Sequence, residues 1–434
     1  MHRIIYIIII IAAFSSLGWC VYRDVQIEKQ YPGDLRNRIV GARLQKDGIP
    51  PYFHKWKIGD DLRYYDPQNF DSLKVSNITA TPFFHNLMYP IADFQQRDIS
   101  ITWLWITYFF FLAIAIAFFI KAKSPEQKAM TVIISATFLY SQGWIGHIAQ
   151  GQSYIVIPVL CSAFYFSIKR TGLLFAILAG ISAVSLVLVR PTAIVFLIPF
   201  LLLHKQFSVK YKLALLASSL FILAFAFGSA EKISFWKDYA GAMSEQLKSH
   251  QGLSPTIQHN DAAPKVDSYE GWNYQQIKQD IQTFPFYFRR EHGNAFIFIN
   301  HVVHIKTPVF ALALVTGILM LILSVIYYKR GYQFRTTNNI DNLALFAFCL
   351  YMITDIFSPI YRAQYYVSQW LFSLCLAAAT FKKSESIFFS FIIIGILLNS
   401  INISFLTMEP VLGEYIIFVS TVFLILKRQK EYSI

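Results

Sequence analysis

Asp34 is the residue in this chain best placed to take up a proton. It stands near the start of Tyr31 to Tyr52, YPGDLRNRIVGARLQKDGIPPY, a stretch that predicts one short helix. Asp34 is expected to cap that helix, Leu35, Ile39 and Ala42 to form its apolar stripe, and Gly48 with Pro50-Pro51 to stop it. Capping is the ordinary role of an aspartate at a helix start. It is compatible with a second role as general base if that end of the helix faces a site.

Two arginines beside prolines supply a possible partner chemistry. In VRPT, Pro191 breaks a helix and leaves Arg190 at the break; in SPIYRAQYY, Arg362 follows Pro359. Each is a natural interfacial anchor. Together they are expected to clamp a phosphate, for which a guanidinium offers two-pronged donors. The other polar residues at span ends are His85 in TPFFHNLMYP, His147, Gln150 and Gln152 in HIAQGQSY, and Gln364 and Tyr365 in SPIYRAQYY. They are candidate substrate contacts, with Gln150-Gly151-Gln152 read either as a helix start or as a plain loop. The histidine spacing matches no zinc motif. Asp60-Asp61 could bind a divalent cation but reads more naturally as a solvated turn, so no cofactor is assigned and metal need stays open. Walker, GxGxxG and GxSxG sequences are absent, which leaves nucleotide-driven and hydrolase-elbow chemistry without support.

These residues hang on a very apolar frame. Of 434 residues, 55% are hydrophobic, too many for a soluble chain of this length. Apolar runs lie at 4–22, 99–120, 129–144, 152–168, 172–189, 191–203, 211–229, 308–328, 341–357, 364–380, 386–406 and 411–426. Most reach the ~17–25 residues that a membrane-spanning helix needs; 191–203 is short and reads as a half-span or broken helix. The expectation is an all-α polytopic membrane protein of 10–12 spans in a single unit, residues 1–434.

Charge orients that frame. With both termini in the cytoplasm, the cytoplasmic pieces are the N-terminus, 121–128, 169–171, 204–212, 329–341, 381–385 and 427–434. They hold 17 of the 38 Lys+Arg but only 4 of the 25 Asp+Glu, so the whole net charge of +13 lies on one side. The basic excess therefore reports topology and gives no ground for nucleic-acid binding. The first apolar run lacks a convincing cleavage site and reads as a retained anchor. Cys20, Cys161, Cys349 and Cys375 fall in or beside spans and read as buried thiols. The singled-out polar residues all fall on the outer side, where they can line one site.

Two long regions lie on that outer side. Residues 23–98 are polar and mixed in charge. Residues 231–307 carry amphipathic patterns, with Phe235, Trp236, Tyr239, Met243 and Leu247 on one helix face and Tyr274, Ile277 and Ile281 on another.

In order and spacing these features resemble the GT-C superfamily of polytopic glycosyltransferases, most closely the GT87 group of α-mannosyltransferases that use polyprenyl-phosphate mannose. The resemblance rests on Asp34 after the first span, Gly48 to Tyr52, the TPFFHNLMYP return, Gly151-Gln152, Arg190-Pro191 and SPIYRAQYY. The last departs from the group's S-P-x-x-W-x-H: its Trp and His are missing, and Arg362 or Gln364 would stand in. What the resemblance implies is a GT-C-like bundle in the cytoplasmic or inner membrane with its active site facing outward. Asp34 would deprotonate an acceptor hydroxyl, and a polyprenyl-phosphate-sugar donor would be attacked with inversion. The leaving phosphate would be met by Arg190 and Arg362, and the acceptor would be a lipid or glycan. Two rivals are the protein O-mannosyl or aminoarabinose branch, with Asp60-Asp61 as its acidic pair, and a lipid-linked sugar flippase. The first usually has its acidic pair nearer the first span; the second would show repeat symmetry and smaller outer loops.

The charge split predicts that a cysteine introduced between Gln251 and Ser268 reacts with an impermeant maleimide on intact cells, and that one between Gln333 and Asn338 does not. The opposite labelling pattern would invert the topology.

Overall fold

The computed structural model describes residues 3–28, 33–57, 59–66, 76–250, 268–269, 272–273, 308–329, 340–358, 362–400 and 409–431. Nearly all of this is helix, with one two-residue hairpin, β1 (Ser268–Tyr269) and β2 (Trp272–Asn273), between helices. The second amphipathic pattern, through Tyr274, Ile277 and Ile281, lies outside the described residues.

Every predicted apolar run contains helix, and among the described residues four helices are long and apolar enough to cross a membrane. These are α1 (Arg3–Glu28), α4 (Gln96–Lys121), α10 (Val209–Phe227) and α12 (Val309–Lys329). Several of the other runs hold shorter helices for local reasons. The run at 129–144 divides into α5 (Pro125–Phe138) and α6 (Gln142–Ala149), because the Ser141 hydroxyl accepts the Trp144 amide at 3.1 Å and starts a new helix. The run at 191–203 is broken as expected: Pro191 and Pro199 leave only α9 (Ile194–Leu197) between 3-10 turns. Residues 364–370 form a 3-10 turn before α14 (Leu371–Ala379). α1 runs past its expected end at Tyr22 because Asp24 is satisfied inside the protein. It accepts from Tyr108 Oη (2.6 Å), Trp144 Nε1 (2.8 Å) and Arg23 Nε (2.7 Å), which ties α1 to α4 and α6.

The core is centred on α13 (Ile340–Ile356) and α14, almost wholly buried. Around them pack α4, α5, α7 (Val156–Ile168), α9 and α16 (Glu409–Glu431); α8 (Leu173–Val189) bridges α7 and α10, and α15 (Ser386–Leu398) packs on α16. All four cysteines are buried free thiols.

The segments assigned by charge to one side meet at one end of the bundle. Asp341 pairs with Lys121 (2.7 Å) and Lys169 (2.6 Å), and Asn342 donates to Gln429 at 3.2 Å. Arg428 grips Glu385 at 2.7 Å and Thr380, and Gln127 donates to the Phe381 carbonyl. Five of the basic pieces thus share one surface.

At the opposite end, α2 (Gly33–Lys46) is a polar helix buried on every side. Its apolar stripe, Leu35, Ile39 and Ala42, is fully buried as expected. It stops at Gly48, whose φ of +74° permits Ile49 N–H to reach the Leu44 carbonyl at 2.8 Å. α3 (Pro82–Ala92) packs along it, and α11 (Ala230–His250) lies over both regions with Phe235 and Ala242 inward. Tyr239 and Met243 of α11 pack on Val40, Leu44 and Tyr52.

Asp341→Leu is expected to lower the apparent melting temperature in detergent strongly, since it strands two half-buried lysines, whereas Asp93→Leu removes only exposed pairs with Lys46 and Arg63. A loss of several kcal/mol against less than ~1 is the expected contrast. Equal shifts would mean that the Asp341 cluster holds nothing together.

Candidate functional site

Asp34 lies in the first turn of α2 rather than at its cap, a correction to the expected capping role. The helix begins at Gly33, so the carboxylate is free to turn sideways, where it accepts a hydrogen bond from Gln152 Nε2. Gln152 Oε1 in turn accepts from Arg38 Nη2, one helical turn after Asp34. Because Arg38 only donates, this contact also fixes which way the Gln152 amide is turned. The relay Arg38–Gln152–Asp34 is the geometric centre of the site.

Gln152 reaches it through a helix end. The Gln150-Gly151-Gln152 stretch closes α6 rather than opening α7. Gly151 has φ +58°, its N–H meets the Ile148 carbonyl at 2.9 Å, and Gln152 N–H meets the His147 carbonyl at 2.9 Å. This left-handed glycine termination swings Gln152 back under α2. Trp103 Nε1 then holds the Gln152 carbonyl at 3.0 Å. Gln150 caps α6 and makes no side-chain contact with Asp34 or Arg38 among the described residues.

Both predicted histidines are fully buried beside this relay, within electrostatic reach of Arg38. Their hydrogen bonds assign their tautomers. His147 Nε2 accepts the Ile155 amide at 3.2 Å, so the neutral ring carries its proton on Nδ1, and Nδ1 has no partner among the described residues. Gln45 Nε2 donates to the Pro82 carbonyl, Asn86 and Tyr89, so its Oε1 accepts a hydrogen bond from His85 Nδ1–H at 3.2 Å. His85 Nε2 is left as an unpartnered acceptor against Gly41, where a Cβ would stand only 2.5 Å away. Asp34, Arg38, Gly41 and Gln45 thus form one polar stripe along α2.

Electrostatics follows from burial. Desolvation, reinforced by Arg38, pulls His85 and His147 down to about 3, so both are neutral in ordinary buffers. Desolvation pushes the Asp34 carboxyl up, against the lowering effects of Arg38 and the Gln152 amide. A carboxylate raised in this way is a better proton acceptor than a solvated one.

The second half of the site is aromatic and cationic. Tyr365 lies within reach of both Asp34 and Arg38, and its ring stacks on Tyr154 at 5.7 Å. Tyr154 meets Tyr366 at 4.2 Å, and Arg190 lies over both rings, at 5.8 and 5.5 Å. From the far side Tyr239 of α11 joins through Tyr52, which itself neighbours His85. Gln364 Oε1 is buried without a partner among the described residues, and the Gln364 side chain lies against Gly146.

The two arginines expected to clamp a phosphate do come together, on Asp355. Arg190 Nη2 and Arg362 Nε each reach an oxygen of Asp355 at 2.6 Å. Arg362 also pairs with Glu414 through both terminal nitrogens, and its side chain is 2% exposed. All its nitrogens therefore already face carboxylates. Arg190 sits at the break after α8, as Pro191 suggested, and its Nε has no hydrogen-bond partner among the described residues. Asp60 and Asp61 accept the backbone amides of Lys57 and Arg63 in an exposed turn away from the relay. No cluster of three metal-ligating side chains occurs among the described residues.

Sequence reading missed Arg38, Asp24, Asp355 and Glu414. The Asp34–Arg38 spacing of four was a legible helix-pair signal; the other three sit inside helical or apolar runs, where only the fold shows their partners.

The fold and site define a multi-pass helical membrane protein with a polar, carboxylate-bearing centre at one end. The profile of Glycosyltransferase family 87 matches residues 79–261, which bears out the sequence resemblance over that stretch. The match takes in His85, His147, Gln152 and Arg190, and leaves Asp34, Arg38 and Arg362 outside it. No curated protein matches the chain. Among solved structures, the Archaeoglobus fulgidus oligosaccharyltransferase in its apo form aligns at 12% identity and a TM-score of 0.40. That alignment covers 96% of this chain and 56% of the archaeal one, so this chain spans little more than half its length.

Neutral buried histidines make acid costly. Their folded values near 3 lie below the unfolded ~6.5, so their contribution to stability is full above pH ~6.5 and is lost as pH falls toward 3. At pH 5 each is expected to cost the wild type up to ~2 kcal/mol relative to pH 7.5. The double variant His85→Gln/His147→Gln should show a shallower fall in melting temperature between those pH values. An unchanged slope would mean that these histidines are protonated inside the protein.

Proposed function

We propose that the protein is a glycosyltransferase that moves a sugar, mannose or another hexose, from a polyprenyl-phosphate-sugar donor to a lipid-linked or glycan acceptor. The reaction is set at the outer face of the cell membrane, the face that the charge distribution assigns to Asp34. The observation that carries the reading is the Asp34 carboxylate. It is raised by burial, held by Gln152, and neighboured by Arg38, whose Nη1 has no hydrogen-bond partner among the described residues. The family 87 match supports glycosyl transfer as the reaction class.

In this reading Asp34 takes the acceptor hydroxyl proton as the oxygen attacks the anomeric carbon. The carbon–oxygen bond to phosphate breaks on the opposite face, so the anomeric centre inverts. His147 Nδ1–H serves as a donor to sugar or phosphate oxygen, and His85 stays neutral behind α2. Gln364 and the stacked rings of Tyr154, Tyr365 and Tyr366 line the sugar, with Arg190 lying over two of those rings. Gln150 and Arg362 support this arrangement from its edges. A polyprenyl chain stays in the bilayer, at ~0.8 kcal/mol per buried methylene, which suits a site on the apolar frame.

Asp34→Asn keeps the volume and can still accept from Gln152, so folding is expected to survive. A lost general base typically costs ~10²–10⁴-fold in rate. Purified variant and wild type, compared for sugar transfer from a polyprenyl-phosphate hexose, should differ by that factor at equal melting temperature. Near-equal turnover would remove Asp34 from the chemistry.

A further inference from the structure

We propose that Arg38, rather than the Arg190–Arg362 pair, supplies the cationic contact to the departing phosphate; this rests on the polyprenyl-phosphate reading above. Three observations converge on Arg38. It is 8% exposed, and its Nη1 has no hydrogen-bond partner among the described residues. Its Nη2 is spent on a neutral amide, Gln152, and no carboxylate among the described residues is hydrogen-bonded to Nη1 or Nη2. The unpartnered Nδ1–H of His147 belongs to a ring within its electrostatic reach, giving two donors without an acceptor in the same neighbourhood. Such a pair suits an anionic oxygen.

The alternative cations are already matched. Arg190 and Arg362 bring two positive charges, and Asp355 and Glu414 bring two negative ones in direct contact with them. That chain is neutral before any ligand arrives. Around Arg38 the balance changes during the reaction. The acceptor O–H gives its proton to Asp34, whose charge goes from −1 to zero. The acceptor oxygen bonds to the anomeric carbon, and the electron pair of the broken bond stays on phosphate. A phosphodiester of charge −1 becomes a monoester of charge −2. Arg38 loses its compensating neighbour, Asp34, in the same step in which phosphate gains a charge. The cation is therefore worth more in the transition state than in the ground state, which is the condition for accelerating the step.

The groups facing Asp34 are Arg38 on its own helix, Gln152 from the α6–α7 turn, and Tyr365 from the 364–370 turn. Arg38 is the one cation among them, so its removal has a second signature: the acid limb of the rate profile set by Asp34 moves to higher pH.

The test uses the full chain in zwitterionic nanodiscs with tritiated undecaprenyl phosphate as probe, alongside transfer kinetics. Arg38→Gln is expected to weaken probe binding at least ~10-fold and to lower kcat by ~10²–10³-fold, the range for a lost oxyanion donor. Arg38→Lys, which keeps the charge and guards against a folding failure of the Gln variant, should recover part of both. Gln152→Met should lower kcat while leaving probe affinity within ~2-fold. If wild type binds the probe and Arg38→Gln and Arg38→Lys bind it equally well, Arg38 is only a support for Gln152 and the proposal falls alone. If wild type neither binds the probe nor transfers sugar from the polyprenyl donor, the functional reading falls, and the proposal with it.

Discussion

The structure depends on burying α2, a helix whose composition belongs in water. Arg36, Arg38 and Arg43 are 1%, 8% and 1% exposed, and unpaired guanidinium groups cannot be left in such an interior. Arg36 Nε is met by the Tyr65 carbonyl at 2.8 Å, and Arg43 by the carbonyls of Ala92, Arg63 and Phe94 at 2.6 to 2.9 Å. Those carbonyls come from the turns at 62–66 and 92–94, so the outer region must wrap around α2 to satisfy it. Asn37 on Asp66 and Gln45 on Pro82 extend the same requirement. Once α2 is held in this way, Arg38 is left incompletely satisfied and beside Asp34. The proposed site lies where the wrapping stops short.

A second charge system lies beside the proposed site. The chain Arg190–Asp355–Arg362–Glu414 links the end of α8, the end of α13, the turn before α14 and the start of α16. Trp370 adds its indole N–H to Glu414 at 2.7 Å, and Gln369 its amide to Asp355 at 3.2 Å. Breaking any one pair would leave a buried charge uncompensated, a cost of several kcal/mol. The arrangement therefore fixes the 364–370 turn, and with it Tyr365 and Tyr366. Its mirror at the other end, Asp341 with Lys121 and Lys169, fixes the ends of α4, α7 and α13.

Much of the frame was legible because hydropathy and charge are additive along the chain. The apolar runs became helices, Pro191 broke its run, and the amphipathic face through Phe235 and Tyr239 turned inward on α11. Most of the outer polar residues singled out by sequence, Asp34, His85, His147, Gln152, Gln364, Tyr365 and Arg190, lie in one neighbourhood. What stayed hidden depended on direction rather than composition. Whether Gly151 ends one helix or begins the next turns on a single φ angle. Whether an arginine faces a ligand or a carboxylate depends on residues far away in sequence: Arg362 meets Glu414, 52 positions on. Arg38 escaped notice for the converse reason, since a charged residue on a polar helix looks solvated until the helix is seen to be buried.

The most direct test is product analysis. Purified wild type, incubated in nanodiscs with a polyprenyl-phosphate hexose and a lipid extract from the source cell, would be followed by mass spectrometry. The account predicts free polyprenyl phosphate together with an acceptor enlarged by one hexose of inverted anomeric configuration. Donor consumed with only free hexose released, or donor moved across the membrane unchanged, would contradict it.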